Sequence, residues 1–226
     1  MLHTLPRVTL LALALTAAPG CEIIDMIRGF AAAADEIGNH LESDLKSELT
    51  DAKISKVIEV TPLLTEFSKT AKTKWQPDPH APDFSQLASA MGGLAEYIAF
   101  FESHGTRLTE YYVDVAKIAD GRSLLTLRKA HEEATTKLKQ ERTELEGKIA
   151  AASGDEKKQL EDQLGVNAKA SETLQQQFDQ TMEARKAAKS GGNGGFTLSD
   201  EEVARVQARL PEITKAFDGA GYRESK

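Results

Sequence analysis

Residues 123–152 read SLLTLRKAHEEATTKLKQERTELEGKIAAA, and Ser153-Gly154-Asp155 follows. Leu124, Leu127, Ala134, Leu138, Leu145 and Ile149 keep three-four spacing, with charges on the other faces. That period is the mark of an amphipathic helix with one narrow apolar stripe. Ser153-Gly154-Asp155 is a turn signal. After it, Leu160, Leu164, Leu174, Phe178 and Met182 form a second stripe that ends near Lys189. Read outward from the turn, Leu145 and Ile149 can face Leu160 and Leu164, and Leu127 can face Phe178. Residues 121–189 therefore predict a long antiparallel helical hairpin, coiled-coil-like, with arms of about 30 residues and roughly 45 Å. His131, Glu141, Asn167 and Ser171 interrupt the seam, which reads as a packed hairpin rather than a dimerising coiled coil.

The same period extends toward the N-terminus. Phe84, Leu87, Met91, Leu94, Ile98 and Phe101, then Leu108, Tyr112 and Val115, form a heptad-like seam with a gap at Gly105. Asp83 with Gln86 is a capping-box start, and Asp120-Gly121 reads as a break. Tyr97, Phe100, Phe101, Tyr111 and Tyr112 make this the most aromatic segment, suited to a core or to a ligand or partner groove. Trp75-Gln76-Pro77-Asp78-Pro79-His80-Ala81-Pro82 admits no helix. Thr61-Pro62 reads as a cap that restarts a helix or as a kink. Ile23, Ile27, Phe30, Ala34, Ile37, Leu41 and Leu45 hold helical spacing in a pattern that runs on to about Val60.

Toward the C-terminus, Ser190-Gly191-Gly192-Asn193-Gly194-Gly195 lies in a Gly-rich linker spanning 190–198. Ser199 with Glu202 forms a capping box. Val203, Val206, Leu210, Ile213 and Phe217 then define one amphipathic helix kinked near Leu210 by Pro211, within segment 199–226. A helix this short needs a surface to dock on, either its own bundle or a partner. The fold class is all-α: a helical bundle over 21–120, the hairpin, and the C-terminal amphipathic helix.

Composition agrees and narrows the function. Aromatics are 6% of the chain and charged residues 28%, which favours helices over sheets. The formal net charge is -7, and removing residues 1–20 takes Arg7 and no acid, leaving 27 basic against 35 acidic residues. An acidic body excludes nucleic acid as partner, because phosphate binding needs a basic face. It also disfavours adhesion to anionic lipid through charge. One cysteine excludes an internal disulfide and a CxxC site.

The N-terminus supplies an address. Arg7 precedes the apolar run Val8-Thr9-Leu10-Leu11-Ala12-Leu13-Ala14-Leu15, too short to span a bilayer, and then Ala17-Ala18-Pro19-Gly20-Cys21. Residues 1–20 have the layout of a signal peptide. The segment resembles the lipobox of bacterial lipoproteins, matching at Gly20 and Cys21 and departing with Ala18 where Leu is usual and with Pro19. The resemblance implies cleavage before Cys21, diacylglycerol on its sulfur and an acyl chain such as palmitate on its amine. Two or more chains give stable anchoring. It further implies export and attachment to the cell envelope, with the outer membrane favoured because Glu22 is not the inner-membrane retention residue.

Chemistry-bearing patterns are sparse. There is no HExxH, CxxCH, GxSxG, phosphate loop or Glu-x-x-His, so no cofactor or metal is expected. Glu36 and His40 share a helical face, but one such pair is a surface hydrogen bond rather than a metal site. The reading is a non-enzymatic envelope lipoprotein acting as a helical scaffold or protein-interaction module. The alternative is a periplasmic binding or chaperone-like module in which residues 97–112 line a groove for an apolar ligand or client.

Overall fold

The structure, a computed structural model, describes residues 35–74, 83–190, 196 and 198–219, with side chains over 40–70, 93–187, 196 and 198–219. Among these residues there are seven helices and no strand: α1 (Asp35–Lys46), α2 (Asp51–Lys74), α3 (Asp83–Ser103), α4 (Leu108–Ala151), α5 (Gly154–Ser190), α6 (Asp200–Ala208) and α7 (Leu210–Gly219). The protein is all-α, a helical bundle. Two compact units divide it. The body draws on 18–122 and 194–226, and the arm is 123–193. The C-terminal helices thus belong to the same unit as α1–α3.

The body is built around α2 and the first half of α4. On α2, Ile54, Val57, Val60 and Leu64 are buried at helical spacing. The start of α4 is buried nearly all round, at Leu108, Tyr111, Val113, Val115, Ala116 and Ile118, as befits a central helix. Helix α7 lies along α2, burying Ile213 and Phe217. A Schellman turn joins α3 to α4. Gly105 at φ +70° takes the left-handed position that a Cβ would resist, and Thr106 N–H closes on Phe101 C=O at 3.1 Å.

Four local expectations are corrected. The helical pattern of 23–60 is broken at Ser47–Thr50, where α1 ends and α2 begins. Helix α2 passes through Pro62, and Thr61 is no cap: its hydroxyl donates to Val57 C=O at 2.6 Å and lies 2.9 Å from the Tyr111 hydroxyl. Helix α4 is continuous through Asp120-Gly121. Glycine is there for close approach, because a Cβ at 121 would lie 3.1 Å from Val206 Cγ2 and 3.3 Å from Leu198 Cδ1. The C-terminal segment is two helices rather than one kinked helix, separated at Arg209, because Pro211 has no N–H to continue the ladder.

In the arm, α4 and α5 are separated by Ala152-Ser153, with Gly154 at φ +60°. Their stripes are thinly covered: Leu124, Leu138 and Asn167 are the buried positions, and Leu145, Ile149, Leu160, Leu164, Leu174 and Phe178 are half-buried. Asn167 Nδ2 donates to Leu138 C=O at 3.2 Å, and the His131 ring stacks on Phe178 with centroids 4.1 Å apart.

Candidate functional site

The break between α1 and α2 is the most elaborately bonded place in the body. A helix end leaves unpaired carbonyls, and a helix start leaves unpaired N–H groups. Here Ser47 Oγ donates to Asp44 C=O at 2.6 Å and Thr50 Oγ1 accepts from Lys53 N–H at 3.4 Å, and the remaining groups are satisfied from far along the chain. Lys117, 1% exposed, reaches from α4 and donates from Nζ to Asp44 C=O at 3.1 Å and to Ser47 C=O. Glu202, at the third position of α6, accepts from Leu49 N–H through Oε1 at 2.7 Å. Its Oε2 accepts from Ser199 N–H at 2.7 Å, while Ser199 Oγ accepts from Glu202 N–H at 3.2 Å. One carboxylate therefore closes the capping box and clasps the start of α2. Arg205 adds hydrogen bonds to Leu49 C=O at 3.1 Å and Glu48 at 2.5 Å.

Buried charges surround this clasp. Asp44 accepts from Arg107 at 2.5 Å and from Thr109 Oγ1 at 2.7 Å. Lys53 Nζ donates to Ser47 Oγ at 2.7 Å and stands 3.5 Å from Asp114 and 3.7 Å from Glu110. Burial pushes the Asp114 carboxyl up to about 6, against the pull of Lys53 and Lys117, with Glu110 reinforcing the rise. Burial likewise lowers Lys117, opposed chiefly by Asp114. Asp114 is 3% exposed and its Oδ1 has no hydrogen bond. The Lys117 ammonium also lies 5.8 Å from the centroid of the Phe196 ring, within cation–π range. These groups are spent on backbone ends and on one another, which is the chemistry of a structural clasp. Among the described residues no group of three or more His, Cys, Asp or Glu could hold a metal ion. Nor is any described helix long and apolar enough to cross a membrane.

Of the residues singled out in the sequence, the aromatic set is brought together. Phe67 meets Tyr97 and Phe100 at 5.0 and 4.6 Å, and Phe101 meets Phe100, Tyr111 and Tyr112 at 5.3, 4.9 and 5.8 Å between centroids. Phe101 and Tyr111 are buried; Tyr97, Phe100 and Tyr112 are half-buried. Tyr97 donates to Ser68 Oγ at 3.2 Å. The rings form a chain along α2, α3 and α4 in which each fills space beside the next. Val203, Val206, Ile213 and Phe217 are buried in the body, and Leu210 is half-buried. That face is covered by the chain itself. Cys21, the leader, the proline-rich stretch and Gly191–Gly195 lie outside the described residues. The clasp was not singled out from the sequence. Its one legible signal was the capping box at Ser199 and Glu202, which showed where a carboxylate would be held but not that it would also reach Leu49.

Comparison with known protein families, with curated proteins and with solved structures finds no match to this chain.

Proposed function

We propose that this chain is a bacterial envelope lipoprotein, anchored through Cys21, whose helical body is a non-enzymatic scaffold presenting residues 123–193 as a protein-interaction arm. One observation carries the reading of the arm. The body is built from the chain on both sides of 123–193, and its two parts pack on each other close to that segment in sequence: Gly121 lies against Leu198, and Lys117 faces Phe196. The excursion can therefore be lengthened, shortened or removed without moving the body's own elements. A segment that the body does not need for its core is one available for outside use. We read the arm as an antiparallel hairpin. The contacts Leu138–Asn167 and His131–Phe178 keep nearly constant sums of residue number, as opposed strands of one hairpin must.

The anchor rests on the sequence alone, on Gly20-Cys21 after an apolar leader. A Cys21→Ala variant that still partitioned with membranes would sink it. For the arm, residues 123–193 are replaced by a short Gly-Ser link. The shortened chain should keep a cooperative unfolding transition but lose crosslinks to envelope proteins that the full chain makes. Equal crosslinking by both chains would place the interaction surface elsewhere.

A further inference from the structure

We propose that α1 is a pH-operated strap: it is held on α4 in acid and released toward neutral pH, swinging about Ser47 and Glu48 while α2 stays clasped by α6. The inference goes beyond the lipoprotein reading and does not need it. It starts from an asymmetry at the break between α1 and α2. The α2 side is held by α6, through Glu202 on Leu49 N–H and Arg205 on Leu49 C=O. The α1 side is held by α4 and the residue before it. Lys117 donates to the Asp44 and Ser47 carbonyls, and Arg107 and Thr109 donate to the Asp44 carboxylate. The two sides can therefore part without undoing α6. They also differ in apolar content. Among its described side chains α1 buries Leu41 and Leu45, whereas α2 buries Ile54, Val57, Val60 and Leu64. The attachment of α1 is thus largely polar, and water can replace polar bonds at modest net cost.

Behind the end of α1 lies a carboxylate that couples this attachment to protons. Ser47 Oγ accepts from Lys53 Nζ at 2.7 Å, and Lys53 Nζ stands 3.5 Å from Asp114. Asp114 is 3% exposed, and its Oδ1 accepts no hydrogen bond. Lys53 from α2 and Glu110 and Lys117 from its own helix face it, with Arg107 in range of its charge. Asp44 of α1 and Glu202 of α6 face Lys117 in turn. Burial outweighs the two ammoniums and lifts the Asp114 carboxyl to about 6. In acid the group is neutral and its burial costs little. As pH rises through that value it ionises, and the ion is better solvated once Ser47 no longer covers Lys53 and Asp114. The closed state keeps the proton up to about 6, and a solvated Asp releases it near 3.8, so acid favours closing and neutral pH favours opening. Between pH 5 and pH 7.5 the open fraction should rise about tenfold by this linkage. In a chain anchored at Cys21, release adds the 12 residues of α1 to the reach between anchor and body. That consequence alone rests on the anchor.

The test is hydrogen exchange of the full chain in mild detergent at pH 5 and pH 7.5, with intrinsic rates divided out. A helix of 12 residues is marginal alone, so α1 amides exchange when it lifts. Amides of 41–47 should be at least about tenfold less protected than those of 54–64, and should lose about another tenfold at pH 7.5. Asp114→Asn, neutral at both pH values, should abolish that second loss. Lys53→Gln removes the ammonium nearest Asp114 and should move the onset of release to higher pH, which decides the matter if the asparagine variant does not fold. Equal protection of the two segments means that α1 leaves only when the body unfolds, and overturns the proposal. An α1 that opens early but to the same extent at both pH values also overturns it. A chain that proves unlipidated at Cys21 changes none of these outcomes.

Discussion

The body and the arm are made of the same kind of element and held by opposite means. In the body, helices are fixed by complete burial that includes charges: Lys117, Asp114, Asp44, Asp120 and Glu202 are all buried. In the arm, Leu124, Leu138 and Asn167 are buried and the other stripe residues are half-exposed. Buried charge tolerates little movement, because each group must keep its partner in a low-dielectric surrounding. A half-exposed seam tolerates a good deal, because water replaces what is lost. The comparison teaches that this chain gathers its buried charge where the break between α1 and α2 meets α4 and α6, and leaves the stripes of 123–187 thinly covered.

Lys117 breaks the contrast most sharply. Lys117→Met removes the ammonium that donates to the Asp44 and Ser47 carbonyls and leaves Asp114 buried with less compensation. Breaking a buried charge network of this kind costs about 3–5 kcal/mol. Urea unfolding followed by circular dichroism should show the body's transition shifted by that amount. A shift like that of a surface lysine would mean the clasp contributes nothing.

Asp114 gives the second test, with a sign set by its environment. Its folded pKa is raised from the model-peptide 3.8 to about 6, so between those values the folded body holds a proton that the unfolded chain has released. Stability is therefore greatest below pH 4 as far as this group is concerned, and it is lost as pH rises through about 6. By linkage the loss is on the order of 3 kcal/mol at pH 7. Asp114→Asn should flatten that pH dependence and raise the body's stability at pH 7. A variant less stable at pH 7 would show that the ion pair with Lys53 outweighs burial.

Gly121 probes the close approach of α4 to Leu198 and α6 within the body. Gly121→Leu must displace Val206 and Leu198, for which overpacking costs about 1–3 kcal/mol. Gly121→Ala asks its neighbours for only a few tenths of an ångström and gains helix propensity of about 1 kcal/mol, so thermal unfolding should find it near neutral. The smallest effect belongs to the arm. Asn167 Oδ1 is buried without a partner, and its amide makes one bond to Leu138 C=O. Asn167→Leu should stabilise the arm by about 1 kcal/mol, read as slower hydrogen exchange over 160–175 with the body unchanged. Faster exchange there would show the amide to be a net gain.

Helix existence was legible wherever apolar spacing and caps agreed: Ser199 with Glu202, Gly154 at its turn, and the stripes of α4 and α5. Helix ends were legible only when their partners were local. The break at 47–50 has a local cap in Thr50, but Ser47 C=O is answered by Lys117 and Leu49 N–H by Glu202, both far away in sequence, and that part was hidden. Gly121 read as a break because a glycine's local preference is loose; the neighbour it makes room for, Val206, is on another helix. Thr61-Pro62 reads as a restart or a kink because those residues favour either, and burial of Val60 and Leu64 on either side carries the helix through Pro62 despite a missing hydrogen bond. Charged residues of the clasp carried no mark of their burial, since spacing records polarity and not depth.

By itself, then, the sequence determined the all-α class, most helix spans and the acidic balance, because these follow from side-chain period, capping and composition. Tertiary structure alone decided that the C-terminal helices close the body, that Gly121 of α4 lies against Val206 and Leu198, and that Lys117 and Glu202 share the work of ending one helix and starting the next. Those outcomes depend on which distant groups meet out of water, and no local pattern carries that information.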